Sequence, residues 1–296
     1  MKVLITGASG FIGKHIAEKF LQCQYEILLI SRKSYVSDKF AFFKADLGIK
    51  DTYIKQVIKF QPDVLIHLAW DGIPDFSLDK SIKNLNTSIN FISTILDSCH
   101  LKKILISGSC FEVNNIKGAI SENHIGLPKD NFTWAKHSLL LWLKTQKYKY
   151  NFDYAWMRIF YSYGPGQREK SLIPLIYSAF KNNDLPDIRK PFNKNDYIYI
   201  SDVANAFEAA VGNSIKSGTY NIGSGEITSV EEICRIIEKH LCKEGLTDLI
   251  IKNKLKDKIN NYFWADNNST KNLLKWEPKV DINEGISKTL KYLDNL

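Results

Sequence analysis

Three glycines at a fixed spacing are the first residues of the 296-residue chain whose types could do chemistry: Gly7, Gly10 and Gly13, within Thr6-Gly7-Ala8-Ser9-Gly10-Phe11-Ile12-Gly13. A turn of this kind lets the backbone approach a pyrophosphate. A helix opening directly after it offers free N–H groups and a positive partial charge to the anion. The spacing is GxxGxxG rather than GxGxxG. A lone glycine pattern is weak evidence, and an ordinary glycine-rich βα turn is the bland alternative. Here the pattern follows the apolar run Val3-Leu4-Ile5, opens a helix-like stretch and stands at the start of the chain, a context that favours phosphate binding. Ser9, Phe11 and Ile12 fall in the same turn and join the expected cofactor-binding set.

Such a turn needs a scaffold. Over the first two thirds of the chain, short apolar runs alternate with longer amphipathic segments. Val3-Leu4-Ile5 precedes a helix over 11–22. Ile27-Leu28-Leu29-Ile30 precedes a polar stretch. Val64-Leu65-Ile66 and Ile104-Leu105-Ile106 are further buried-strand candidates, with amphipathic helices near 78–99 and 132–149. Near-continuous apolar strands separated by helices predict a parallel sheet covered on both faces, a Rossmann-type doubly wound α/β fold. Beyond residue 165 the rhythm loosens. The expectation is a dinucleotide-binding domain over 1–165 and a smaller C-terminal α/β substrate-binding lobe from 166–195 and 226–296. Residues 196–225, with strands at Asp196–Ile200 and Thr219–Ile222, should return to the main sheet.

Bulk properties narrow the class. Hydrophobic content of 44% and charged content of 24% are those of a globular chain, not a disordered or fibrous one. No stretch approaches the roughly 18 apolar residues of a membrane span, and the first apolar run is too short for a signal peptide, so a cytoplasmic location is expected. Cys23, Cys99, Cys110, Cys234 and Cys242 are odd in number and hold no CxxC pair, which argues against a disulfide framework or a zinc site. A net charge of +8 suits nucleic acid or small polyanions. The lysines are scattered, and no nucleic-acid-binding module is present.

With the turn and its scaffold in view, the chain resembles the extended short-chain dehydrogenases/reductases, the NAD-dependent epimerase/dehydratase family, whose TGxxGxxG turn it matches without a gap. The likeness runs along nearly the whole chain. Ala45-Asp46-Leu47 resembles the family's adenine-contacting step. Asp63-Val64-Leu65-Ile66-His67-Leu68-Ala69 resembles its fourth strand, with Leu68 and Ala69 at the cofactor-facing end. Asn84 corresponds to a helix asparagine supporting the active site. Tyr163-Gly164-Pro165-Gly166, Asp196 to Ala204 and Trp276-Glu277-Pro278 match later blocks. Taken singly, His67 and Trp276 are core residues rather than ligands. The second strand ends Ser31-Arg32-Lys33, with two cations and no carboxylate. A carboxylate there would bind a ribose 2′-hydroxyl, whereas Arg pairs with a 2′-phosphate, so NADP(H) is expected over NAD(H). The bland alternative is a solvated loop.

The resemblance also implies a catalytic set: Ser or Thr, then Tyr, then Lys four residues later. The Lys binds cofactor ribose hydroxyls and lowers the Tyr pKa, the Tyr moves a proton to or from the substrate oxygen, and the Ser or Thr hydrogen-bonds that oxygen. Ser109 matches the hydroxyl residue and Lys136 the lysine, but the tyrosine position is Phe132. Phenylalanine has no proton to give, and losing a positioned acid/base costs about 10²–10⁴-fold in rate. Three explanations fit. An engineered tyrosine-to-phenylalanine change is favoured by the intact surroundings. A substitute donor is the second: Ser109, Thr133, Tyr161 or water. The third is a binding protein or NADP-dependent sensor that has lost catalysis, against which the retention of Ser109 and Lys136 argues.

Family 4,6-dehydratases carry an Asp-Glu pair where this chain has Cys110 and Phe111, so dehydration is not expected. The Cys of the combined epimerase-reductases also falls at Phe111, and no suitable His follows Gly166. A 4-keto reductase and a 4-epimerase remain. The short chain, the NADP expectation and Tyr161 at a family Asn favour reduction of a nucleoside-diphosphate 4-keto-6-deoxy sugar. Trp70, Ser109, Cys110 and Tyr161 are expected at the substrate. Arg168 and Arg189, among Lys170, Lys190 and Lys194, are the candidates for its diphosphate, each with a surface charge as the bland alternative. Arg158 is expected to be structural. The helix from Phe132 carries Trp134, Leu139, Leu140, Leu141, Trp142 and Leu143, more apolar surface than one face needs. A homodimer is expected, with core burial explaining part of that pattern.

Overall fold

A computed structural model of the chain describes residues 1–32, 41–113, 117–252, 254 and 262–296. Its first half runs β1 (Lys2–Thr6), α1 (Phe11–Gln22), β2 (Glu26–Ser31), β3 (Ala41–Lys44), α2 (Ile54–Phe60), β4 (Val64–His67), α3 (Leu78–Ser98), β5 (Lys103–Ser109), β6 (Gly118–Ile120) and α4 (Asn131–Lys149). The second half runs β7 (Asp153–Ile159), β8 (Tyr161–Tyr163), α5 (Leu172–Lys181), β9 (Lys194–Asn195), β10 (Tyr197–Tyr199), α6 (Ile200–Gly212), β11 (Gly218–Ile222), β12 (Thr228–Ser229), α7 (Val230–His240), α8 (Leu246–Lys252), β13 (Tyr262–Ala265), α9 (Asn268–Leu274) and α10 (Ile282–Asp294).

The main sheet has the strand order β11-β7-β5-β4-β1-β2-β3, with every neighbouring pair parallel. The alternation of side chains explains why its strands read as continuous apolar runs. Val3, Ile5, Ile27, Leu29, Val64, Ile66 and Leu105 face one core, which takes in Ile16 and Phe20 of α1 and Phe207 of α6. Leu4, Leu28, Ile30, Leu65, Ile104 and Ile106 face the other, with Phe91 and Ile95 of α3 and Leu139 and Leu143 of α4. Both faces are covered, so neither set of positions tolerates a polar residue. Each such side chain, fully buried, contributes about 1.5–3 kcal/mol.

The expected fold class is the one observed, with differences in detail. β3, β7 and α2 were not anticipated. The apolar run of β7, Tyr154–Met157, is hidden between two charged residues, Asp153 and Arg158. The expected strand over 196–200 is only Tyr197–Tyr199, because Ile200 opens α6. It pairs with β8 in a two-stranded sheet and not with the main sheet, which β11 alone of this segment joins. β6 leaves the main sheet to pair with β13, in a four-stranded sheet ordered β12-β9-β13-β6. Buried Asp196 ties these parts together by accepting N–H bonds from Ser224, Gly225 and Ala265. Among the described residues no helix is long and apolar enough to cross a membrane.

Candidate active site

The glycine turn is built by close contacts. Gly7 takes φ +73°, and a Cβ on it would lie 2.7 Å from the Ala69 backbone nitrogen. A Cβ on Gly13 would lie 2.2 Å from the Gly7 carbonyl oxygen, so only glycine lets α1 start this near β1. Among the described residues no side chain caps α1, whose N-cap is Gly10. Its first N–H groups are thus left to an anion. The Ser9 and Ser31 hydroxyls lie 2.6 Å apart and link the turn to the end of β2.

Beside the turn lies a cavity of about 220 Å³. Gly7, Ser9 and Gly10 line it together with Ser31, Arg32, Asp46, Leu47, Leu68, Ala69 and Trp70, ten of the residues the sequence assigned to cofactor or substrate. They come from the ends of β1, β2 and β4 and the step after β3, the crevice where doubly wound sheets bind ligands. Phe11, Ile12 and Gly13 lie behind the turn, in the first turn of α1. Lys33 lies outside the described residues. The sequence did not single out Asp71, Lys80, Lys83, Thr87 and Ser88, which also line the cavity. The cradle of close-approach glycines, the uncapped helix and the lining fit a dinucleotide.

Two hydrogen-bond networks hold this crevice in shape. His67 lies 2.9 Å from the Thr6 hydroxyl through Nδ1 and 3.0 Å from the Ser88 hydroxyl through Nε2, tying β4 to β1 and α3. Burial, with Lys136 adding to it, brings its pKa down to about 3, so it is a neutral core residue as expected. Asn84 donates to the Asp71 carbonyl and accepts the Asp71 N–H at 2.7 Å, fixing the chain as it leaves β4. Trp276 is also a core residue, donating its indole N–H to the Asp202 carbonyl.

The catalytic candidates sit where β5 ends and α4 begins. Ser109 accepts the Phe111 N–H on its hydroxyl, while its own N–H goes to Glu112 at 2.7 Å. Glu112 is fully buried, accepts the Trp156 indole N–H and lies 3.9 Å from the buried Arg158 guanidinium. Gly108 makes room for that indole, since a Cβ there would lie 2.3 Å from Trp156 Nε1. Arg158 is structural, as expected, and donates to the Ser121 and His124 carbonyls and to Asn221. Glu112 was missed in the sequence. The pattern Ser109-x-x-Glu112 is a capping box and would have flagged it.

Lys136 is buried, donates to the Ser107 carbonyl at 2.8 Å and holds its ammonium 4.0 Å from the Trp70 ring centre. Burial brings it down to about 8, with Glu112 pulling the other way. Phe132 is 4% exposed. Its ring stacks on Phe76 at 4.8 Å and meets Trp70 edge-on at 5.6 Å. Phe76 continues to Phe111, and Phe111 to Tyr161, so an aromatic wall runs from Trp70 to Tyr161. Burial pushes the Tyr161 phenol up, so it stays protonated. Thr133, named as a substitute donor, is engaged at the helix cap with Asp130.

Three expected substrate contacts have other surroundings or partners in the structure. Cys110 is not on the wall. It packs with Val113, Ile120, Phe160 and Phe263 in a small core where burial pushes its thiol up. The Arg189 side chain is 84% exposed and pairs with Asp187. Arg168 donates to the Ile73 carbonyl, on the loop that carries Phe76. Of the apolar stripe on α4, Leu139, Leu140 and Leu143 belong to the chain's own core, while Trp134 and Leu141 are exposed.

Residues 3–223 match the NAD dependent epimerase/dehydratase family. The chain belongs to this family. Over 99% of its length it is 27% identical to 98% of a putative UDP-glucose 4-epimerase of Methanocaldococcus jannaschii. Over 98% of its length it is 27% identical to 96% of a dTDP-4-dehydro-6-deoxyglucose reductase of Escherichia coli. Among solved structures, a UDP-glucose 4-epimerase of Thermotoga maritima with UDP-glucose superposes with a TM-score of 0.85 at 20% identity, over all of this chain and 99% of the other. The Thermus thermophilus UDP-glucose 4-epimerase in complex with NAD gives 0.83 at 20% identity, over 99% of both chains.

Proposed function

We propose that the chain reduces the 4-keto group of a nucleoside-diphosphate 4-keto-6-deoxy sugar with NADPH. The observation that carries this reading is the placing of Ser109 and Lys136 beside an aromatic wall, with no carboxylate at the two positions that follow Ser109. Glu112 is consumed by Ser109, Trp156 and Arg158, and the two positions between it and Ser109 are a core thiol and Phe111. The wall can bind a sugar face and orient a carbonyl, but it offers nothing for elimination chemistry.

When bound, the nicotinamide supplies a hydride to the carbonyl carbon. Arg32 pairs with the 2′-phosphate, Lys136 holds the ribose hydroxyls and Ser109 donates to the substrate oxygen. Phe132 gives no proton, so turnover is expected to be low in this chain and to rise when position 132 carries a hydroxyl. The exposed Trp134 and Leu141 on α4 support a homodimer through that helix. Consumption of NADPH with 4-keto-6-deoxy sugar nucleotides, followed in the tyrosine form, tests the reading.

A 4-epimerase is the second reading, favoured by the names of the Methanocaldococcus and Thermotoga proteins. An epimerase returns its hydride and interconverts UDP-hexoses without net cofactor oxidation. Interconversion with no NADPH consumed would replace reduction by epimerisation.

A further inference from the structure

The cavity beside the glycine turn is crossed by an ion pair. Arg32 follows β2 and Asp71 follows β4, the two strands that flank β1 in the sheet. The Arg32 guanidinium lies 2.6 Å from one Asp71 oxygen, and the Lys80 ammonium lies 3.0 Å from the other. The pair therefore spans the end of β1, where Gly7, Ser9 and Gly10 line the same cavity. The Asp71 backbone is fixed, because Asn84 grips its N–H and its carbonyl. Lys80 is also placed. Its stem runs against Gly72 (φ +84°), where a Cβ would lie 3.0 Å from Lys80 Cε. Arg32 is the more exposed member, its side chain 55% exposed against 36% for Asp71.

We propose that Asp71 is a specificity-determining residue for the cofactor: its carboxylate and a ribose 2′-phosphate compete for Arg32. This rests on the reading that Arg32 receives the 2′-phosphate. With a 2′-hydroxyl the pair can stay closed across the bound dinucleotide. With a 2′-phosphate, Arg32 must exchange one anion for another while Asp71 keeps only Lys80. The two flanking cations hold the Asp71 carboxyl at about 2, so it is ionised whenever a dinucleotide binds. Asp71 thus trims the preference for NADP(H) that Arg32 confers, and losing its charge sharpens that preference.

The test is calorimetric binding of adenosine 2′,5′-bisphosphate and 5′-AMP to the whole chain, which needs no turnover. An exposed ion pair contributes about 0.2–1 kcal/mol, so Asp71→Asn should bind the bisphosphate roughly 1.4–5-fold tighter. The affinity for 5′-AMP should stay the same and shows that the pocket is folded. Asp71→Ser is the second variant if the asparagine form is unstable. In an Arg32→Ala background the gain should vanish. If Arg32→Ala weakens the bisphosphate but neither Asp71 variant strengthens it, the competition proposed here is wrong. If Arg32→Ala leaves the bisphosphate unaffected, the 2′-phosphate reading itself falls, and this inference with it.

Discussion

Replacing Phe132 by tyrosine adds one hydroxyl at the place where the family moves a proton. The surroundings determine how large the effect should be. The ring is held by Phe76 at 4.8 Å and Trp70 at 5.6 Å, and the Lys136 ammonium lies 5.9 Å from its centre. The nearby cation favours the ionised phenol, while burial at this position favours the neutral one. A positioned general acid is worth about 10²–10⁴-fold, or roughly 3–5 kcal/mol of barrier. The cost in stability is small if Lys136 accompanies the hydroxyl, and about 1–3 kcal/mol if it is left buried without a partner. The assay is NADPH absorbance with a nucleoside-diphosphate 4-keto-6-deoxy sugar, for both forms, with thermal unfolding as the control for fold. Phe132→Tyr should raise kcat by roughly the factor given above, with little change in KM. A folded, cofactor-binding tyrosine variant whose turnover gains no more than about twofold would show that position 132 is not where the proton passes.

Three further outcomes follow from the scaffold. Gly13→Ala places a methyl 2.2 Å from the Gly7 carbonyl oxygen and should abolish calorimetric binding of both NADPH and NADH; retention of either affinity would show that the turn is not the phosphate cradle. Glu112→Gln leaves the buried Arg158 without its counter-charge and should lower stability by about 3–5 kcal/mol, whereas a denaturant midpoint close to that of the unchanged chain would mean that the pair is not structural. His67 is neutral when folded, with a pKa of about 3, but takes a proton near 6.5 when unfolded. Its contribution is therefore complete above about pH 6.5 and lost as the pH falls toward 3, at roughly 1.4 kcal/mol per pH unit. Between about pH 6.5 and pH 5 the chain should lose roughly 2 kcal/mol more than His67→Gln in urea titrations, and parallel losses in the two forms would contradict the buried neutral imidazole.

The legible parts of this protein are those with a short-range physical cause. The apolar runs at Val3–Ile5, Ile27–Ile30, Val64–Ile66 and Ile104–Ile106 signal strands buried on both faces. The glycine spacing signals a close approach that other residues would block. The place of Arg32 just after β2 was legible from the apolar run that precedes it. Other parts left only faint traces. β7 has its apolar run interrupted by Arg158, a residue buried against Glu112. Tyr197–Tyr199 reads as a strand, but nothing local says that its partner is β8 rather than the main sheet. Cys110 stands next to Ser109 in the sequence, yet a single residue turns it from the site into a separate core.

Local pattern alone determined the parallel sheet and the glycine turn, whereas Ser109, Phe132 and Lys136 were located through the resemblance to the family. The sheet and the turn depend on backbone conformation and on the period of burial, and both are written in neighbouring residues. Tertiary structure alone decided that Asp71 answers Arg32 from 39 positions away, that Phe76 covers Phe132 from 56 positions away, and that Glu112 is consumed by Trp156 and Arg158. Each of these is a contact between side chains on different strands and loops. Its strength depends on distance and burial, quantities that exist only once the sheet has brought the strand ends together.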